Sequence, residues 1–113
     1  MLKIKDNVDL KELEKFGFKY RPNHYIQYLK DLKVMTVRLE PALYAEENKY
    51  FYVSVNNEGA DTGYDFETLI YKFEDYSKKL KEDIEEIKQL FNDMKNDGIL
   101  EEIKDFDFYK VEG

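Results

Sequence analysis

The chain has 113 residues, of which 42% are hydrophobic, so it is long enough for one domain with a modest core. It contains no cysteine, which excludes disulfides, thiol catalysis and thiolate metal sites. The formal net charge is −7 and is unevenly placed: residues 1–39 hold nine Lys or Arg and five Asp or Glu (+4), whereas residues 40–113 hold nine and twenty (−11).

The first predicted element is a short helix between Val8 and Phe18. Asp9 is the expected N-cap, with Glu12 at N3 in a capping box, and Val8 can pack onto Leu13 as a hydrophobic staple. Gly17 supplies the left-handed residue that ends the helix, and Phe18 can reach back to Leu13. A helix this short must dock through its apolar side chains, which are Leu10, Leu13 and Phe16.

In residues 18–56, apolar and polar side chains alternate with a period of two, and aromatic and β-branched residues are enriched. This pattern indicates strands. Two strands alternate clearly, one around Met35 to Leu39 and one from Phe51 to Val55. Pro41 is expected to end the first strand, and residues 45–49 are expected to connect the two. Residues 24–30 fit a strand with a turn near Asp31, although a helical spacing also fits them.

Residues 56–63 hold two glycines and no large apolar side chain, so they predict a flexible link. Asp65 to Gly98 then predicts one long amphipathic helix, capped by Asp65 or Thr68 and ended by Gly98 with Ile99 packed on Met94. A helix of that length would span about 45 Å, so one end should project or pair with another chain. Its apolar stripe consists of Leu69, Phe73, Tyr76, Leu80, Ile84, Ile87, Phe91 and Met94.

After Gly98, the spacing of Ile99, Leu100 and Ile103 predicts one more helical turn. Phe106, Phe108 and Tyr109 would follow as an edge strand or as a tail across the core. The predicted fold is a single α+β domain over residues 1–113, with a short N-terminal helix, an antiparallel sheet of three to four strands and one long helix packed on the sheet.

Two stretches carry a resemblance to known proteins. KIKDNVDLKELEKFGF (Lys3 to Phe18) and LFNDMKNDGILEEI (Leu90 to Ile103) resemble small uncharacterised proteins encoded by phages, prophages and mobile elements of Gram-positive bacteria. The shared motifs are a capped helix and a helix stop, so the resemblance carries over no catalytic residue. It implies a genomic setting in which small acidic proteins bind host machinery, including defence nucleases.

The sequence offers few groups for catalysis. Its single histidine, His24, follows Pro22 and is expected at the surface, and Ser54 and Ser77 have no neighbouring base to activate them. Asn56, Glu58, Asp61 and Asp65 offer oxygens to a hard cation, but their spacing departs from a calcium loop. We therefore expect no enzymatic activity, no cofactor and no metal.

The leading functional hypothesis is an acidic, non-enzymatic module that binds a host protein with a basic surface. It would act as a phosphate mimic, as an anti-CRISPR-like inhibitor of a host defence nuclease does. A tyrosine can bury its ring against a partner while its hydroxyl remains hydrated, and the chain has ten tyrosines. The residues expected to bind the partner are Glu58, Asp61, Tyr64, Asp65, Asp75, Glu82, Asp83, Glu85 and Glu86.

Other interpretations remain open. The acidic charge can serve solubility alone, with Glu82, Asp83, Glu85 and Glu86 on a solvated face. The long helix can form a homodimer through its stripe, which would make this an assembly protein. A third possibility is a pocket between sheet and helix for a nucleotide or metabolite. The acidic balance argues against direct nucleic-acid binding, and no apolar run is long enough for a membrane span, so a cytoplasmic location is expected.

Overall fold

A computed structural model describes residues 2–21, 28–42, 45–56, 63–73 and 75–102. The described chain is α+β, with a sheet on one side and the helices packed against it. Its strands are β1 (Leu2–Ile4), β2 (Lys19–Tyr20), β3 (Tyr28–Asp31), β4 (Met35–Ala42), β5 (Ala45–Val55) and β6 (Leu100–Glu102). Its helices are an N-terminal 3₁₀ helix (Leu10–Phe16), α1 (Phe66–Phe73) and α2 (Lys78–Asn96).

The six strands form one antiparallel sheet in the order β2-β3-β4-β5-β1-β6. The two strands with clear alternation, β4 and β5, lie at its centre, with Val37 opposite Val53 and Leu39 opposite Phe51. These four side chains are buried under the helices. The prediction of an antiparallel sheet is thus confirmed, but the expected number of strands was too low because β1, β2 and β6 are only two or three residues long.

The boundaries predicted around Pro41 were wrong. β4 continues through Pro41 to Ala42, and the polar run from Ala45, expected as the connection, is the first half of β5. Within the described residues β3 pairs with β4 as far as Leu39, and a register shift between Pro41 and Ala42 marks this end of the β4–β5 ladder. The predicted strand with a turn near Asp31 is confirmed as β3, and the rest of residues 24–30 lies outside the described residues.

The N-terminal helix was predicted correctly in position and in its ends. The Asp9 side chain caps it by accepting a hydrogen bond from the Lys11 amide, and Gly17 has a φ of 91°. The Phe18 amide donates to the Leu13 carbonyl at 3.2 Å, which closes the helix. The helix is of the tighter 3₁₀ type, and Glu12 forms an ion pair with Lys15.

The predicted long helix is present as α2, but its start at Asp65 was wrong, because the chain divides this stretch into α1 and α2. α1 starts where Asp65 accepts hydrogen bonds from the amide and hydroxyl of Thr68, so the expected cap is confirmed. Ser77 lies in an extended conformation (φ −158°, ψ 161°), and its hydroxyl accepts from the Leu80 amide as the N-cap of α2. The apolar spacing runs unbroken through this junction, which is why periodicity alone predicted one helix.

The end of α2 agrees with the prediction. Gly98 has a φ of 82°, its amide donates to Lys95, and the Ile99 amide donates to the Met94 carbonyl at 3.3 Å. Both bonds define a Schellman closure. The extra helical turn predicted after it was wrong, because Leu100 begins β6, which pairs with β1. The predictions for Phe106, Phe108 and Tyr109 lie outside the described residues.

The core lies between the sheet and the two α-helices. Seven of the eight stripe residues are buried, and Tyr76 is the exception at 75% exposed. Edge-to-face aromatic contacts join the layers, with the Phe91 ring 5.6 Å from Phe51 and 5.2 Å from Phe66 between ring centres. Apart from Tyr76, the stripe is therefore buried within one chain.

Candidate functional site

Three of the predicted acidic residues lie on the exposed face of α2. The Glu82 carboxylate is 3.3 Å from Lys33 Nζ, and the Glu85 carboxylate is 3.3 Å from Lys88 Nζ. These pairs offset two of the negative charges locally, although exposed pairs of this kind add little stability. Glu86 has no ion pair among the described residues. Of these three carboxylates, only that of Glu86 therefore has no lysine partner in the described part of the chain.

Asp83 is not part of that solvated face, which corrects the sequence prediction. It is 1% exposed, and its Oδ2 accepts hydrogen bonds from the Val34 amide at 2.7 Å and the Met35 amide at 3.1 Å. Val34 lies in the turn between β3 and β4 and Met35 begins β4, so the carboxylate holds α2 against that hairpin. The i, i+4 spacing along the helix places Asp83 one turn before Ile87, on the inner side. It has a structural role.

The predicted residues before and within α1 are only partly described. Glu58 and Asp61 lie outside the described residues. Tyr64 forms an isolated antiparallel bridge with Val53, and its hydroxyl accepts from Lys72 Nζ at 3.2 Å. Asp65 caps α1. Both residues are half-buried and engaged within the fold.

The junction between α1 and α2 displays the most exposed rings. Tyr71 is 93% exposed and Tyr76 is 75% exposed, while Tyr20 at 56% is the third large apolar side chain exposed among the described residues. The predicted residue Asp75 lies between Tyr71 and Tyr76 and is exposed, and Glu67 lies one helical turn before Tyr71 on the same face. We call Glu67, Tyr71, Asp75 and Tyr76 the junction surface. Its tyrosines were not singled out from the sequence, because the stripe pattern assigned Tyr76 to the buried face.

A small cavity of about 150 Å³ opens at the start of α1, on the side where β1 meets β6. Leu2 and Phe66 supply apolar lining, and three carboxylic acids line it as well, Asp65, Glu67 and Glu102. The cavity shares Glu67 with the junction surface. Its acidic rim favours cationic groups over anionic ones.

The sheet face opposite the helices carries a buried ion pair. Arg38 is 9% exposed and pairs with Glu40, two residues along β4 on the same face, and its Nε has no hydrogen-bond partner among the described residues. Burial raises the pKa of the Glu40 carboxyl above its ordinary value of 4.5, and the charge and hydrogen bond of Arg38 oppose that shift only in part. Burial also raises the pKa of the neighbouring Tyr52 hydroxyl, and the Glu40 charge adds to that effect.

This pair predicts a pH dependence of stability. Because the folded protein holds a proton on Glu40 more tightly than the unfolded chain does, the free energy of unfolding should fall as the pH rises from 4.5 through the folded-state pKa. Glu40→Gln removes that contribution, so the variant should gain stability relative to the wild type across the same range. Urea unfolding of both proteins at a series of pH values measures the difference.

Glu82→Gln is the control for losing one negative charge, since Glu82 is exposed and lies on α2. A difference between Glu40→Gln and the wild type that stays constant or falls with rising pH would contradict the assignment.

No group of three or more His, Cys, Asp or Glu side chains is arranged to hold a metal ion within the described ranges. In that same part of the chain, every helix is too short or too polar to cross a bilayer. No protein-family model, curated protein or solved structure matches this chain.

Proposed function

We propose that this protein is a non-catalytic module that binds a protein partner with a basic surface through the junction surface. The observation that carries the proposal is the exposure of Tyr71 and Tyr76. Among the described residues, these two rings are the most exposed large apolar side chains, and they lie five residues apart at a helix junction. Tyrosine is enriched among residues that dominate binding energies at protein interfaces.

The local fold favours this surface because it presents the rings on ordered elements. Tyr71 stands on α1, whose inner side is fixed by buried Leu69 and Phe73. The Tyr76 ring packs edge-on against Phe73 with 5.7 Å between ring centres, and the Tyr76 amide donates to the Phe73 carbonyl at 3.1 Å. A partner would therefore meet partly pre-organised rings, which lowers the entropy lost on binding.

Charge supports a basic partner. In the sequence, Glu67 and Asp75 lie four residues before and after Tyr71, and the acidic cavity beside Glu67 adds Asp65 and Glu102. The acids of α2 contribute less, because Glu82 and Glu85 have lysine partners. The resemblance to proteins of phages and mobile elements suggests a host nucleic-acid enzyme as the partner, and inhibition of a defence nuclease by phosphate mimicry is the specific form of this proposal.

The experiment is to express the tagged protein in a Gram-positive host, recover it at low and moderate salt, and identify the bound protein by mass spectrometry. With that partner purified, Tyr71→Ala and Tyr76→Ala should each weaken binding by about thirtyfold, the effect of losing about 2 kcal/mol at an interface hot spot. Isothermal titration calorimetry measures the affinity of each variant.

Tyr20→Ala is the matched control, because Tyr20 is also exposed but lies on β2, the first strand in the sheet order. Binding that survives both junction substitutions, or that falls equally with Tyr20→Ala, would rule out the junction surface. Phosphate mimicry further requires that affinity fall steeply with salt, and a salt-insensitive complex would remove that part of the proposal.

A further inference from the structure

A groove of about 460 Å³ runs between the end of the 3₁₀ helix, strand β3 and one face of α2. On one side lie Lys15, Phe16, Gly17 and Lys30, and on the other lie Glu86, Gln89, Leu90 and Asp93. The groove is open to solvent, so a ligand would be held by its charged groups more than by enclosure. The two walls carry opposite charges, which distinguishes it from the acidic cavity beside α1.

Lys30 is the fixed cation of this groove. Its Nζ donates to the Phe16 carbonyl at 2.8 Å, and it stands so close over Gly17 that a Cβ there would lie 2.9 Å from the nitrogen. An ammonium group has three donors, and this bond uses one of them. Among the described residues Lys30 has no ion pair, although its side chain is half-buried. Lys15 differs, because Glu12 and Asp97 both pair with it.

The opposite wall supplies carboxylates. Glu86 has no ion pair or hydrogen-bond partner in the described part of the chain. Asp93 lies two turns further along α2, where its Oδ1 accepts from Gln89 Nε2 at 2.8 Å, and its second oxygen has no hydrogen-bond partner among the described residues. Leu90 on this wall and Phe16 across from it offer apolar surface.

We infer that this groove binds a zwitterionic small molecule, namely an α-amino acid with an apolar side chain. The ligand carboxylate would take the two remaining donors of Lys30, and its ammonium group would lie near Glu86. Its side chain would rest against Phe16 and Leu90. A nucleotide fits poorly, since phosphates would face the carboxylates of α2, and a simple cation would face Lys30. The inference is independent of the proposed protein partner.

The test is a titration of the ¹⁵N-labelled protein with L-leucine, followed by ¹H-¹⁵N correlation spectra. We expect saturable shifts of the Gly17 amide and the Gln89 side-chain amide. Two analogues each lack one charge: 4-methylpentanoate has no ammonium group, and 3-methylbutylamine has no carboxylate. Each should bind at least about tenfold more weakly than leucine, which corresponds to about 1.4 kcal/mol.

Variants localise the site. Lys30→Met and Glu86→Gln should each weaken leucine binding by about tenfold or more, whereas Lys33→Met and Glu85→Gln, which change exposed neighbours with other partners, should leave it unchanged. Should Lys30→Met fail to fold, Glu86→Gln still decides, because Glu86 is exposed and makes no contact that the fold needs. The inference is overturned by an absence of saturable shifts up to about 10 mM leucine. Equal binding of the analogues, or equal affinity of Glu86→Gln and Glu85→Gln, would overturn it too.

Discussion

Replacing Asp83 by alanine is expected to lower the free energy of unfolding by about 3 kcal/mol. The substitution removes a charged acceptor from two backbone amides, those of Val34 and Met35, and leaves both without their partner. It also removes the hydrogen bonds that hold α2 against the hairpin of β3 and β4. Urea unfolding measures the loss, and hydrogen exchange at the two amides should become faster.

The adjacent residue provides a matched control. Glu82→Ala removes a carboxylate from the same helical turn, but Glu82 is exposed and its pair with Lys33 is weak, so the cost should stay below about 1 kcal/mol. Asp83→Asn keeps an oxygen that can accept both bonds and should recover part of the loss. A cost for Asp83→Ala no greater than that for Glu82→Ala would contradict the structural role of this carboxylate.

Replacing Ile87 by lysine is expected to unfold the protein. Ile87 is fully buried at the middle of α2, so the substitution loses apolar packing and places an ammonium group in the core. The combined cost of more than about 4 kcal/mol approaches the whole stability of a small domain. Circular dichroism should show the loss of structure at room temperature.

This variant also tests the homodimer alternative. If the stripe of α2 were a seam between two chains, Ile87→Lys would give a folded monomer, and light scattering would show a mass half that of the wild type. Asn92→Lys, an exposed position on the same helix with the same change in charge, should remain folded in either case. A folded Ile87→Lys monomer would show that the burial of this stripe within one chain is wrong.

Local signals in the sequence predicted the elements whose ends are marked by capping residues or by glycines. Asp9 begins the N-terminal helix, Gly17 ends it, and Gly98 ends α2. These ends are predictable because the type of residue at each position determines whether it can cap a helix or adopt a positive φ. The alternation of β4 and β5 was equally local. Each of these predictions needed no knowledge of what lay across the core.

The failures were of another kind. β1 and β6 are too short to show a period, and they exist because they pair with each other from opposite ends of the described chain. The break at Ser77 was visible as an N-cap residue, but the apolar spacing on both sides outweighed it. Asp83 looked like one more surface acid, since only the position of the β3–β4 turn shows which amides it meets.

The candidate site was predictable only in part. Asp75 was predicted to bind a partner and is exposed, while Tyr71 and Tyr76 became visible once the helix was known to break between them. The groove at Lys30 brings together residues that are more than fifty positions apart, and no spacing rule could have joined Lys30 with Glu86.

The place of β1 in the sheet has a consequence for the order of folding. Residues 2–4 form a strand that lies between β5 and β6, so the first strand of the chain has its two neighbours at residues 45–55 and 100–102. When only the first half of this chain has emerged from the ribosome, the β3–β4–β5 meander can already form, because its contacts are local. Strand β6 cannot add to β1 until α2 has emerged. We therefore expect the β3–β4–β5 meander to form early. The pairing of β6 with β1 should form last, because it joins residues far apart in the sequence and such contacts form slowly.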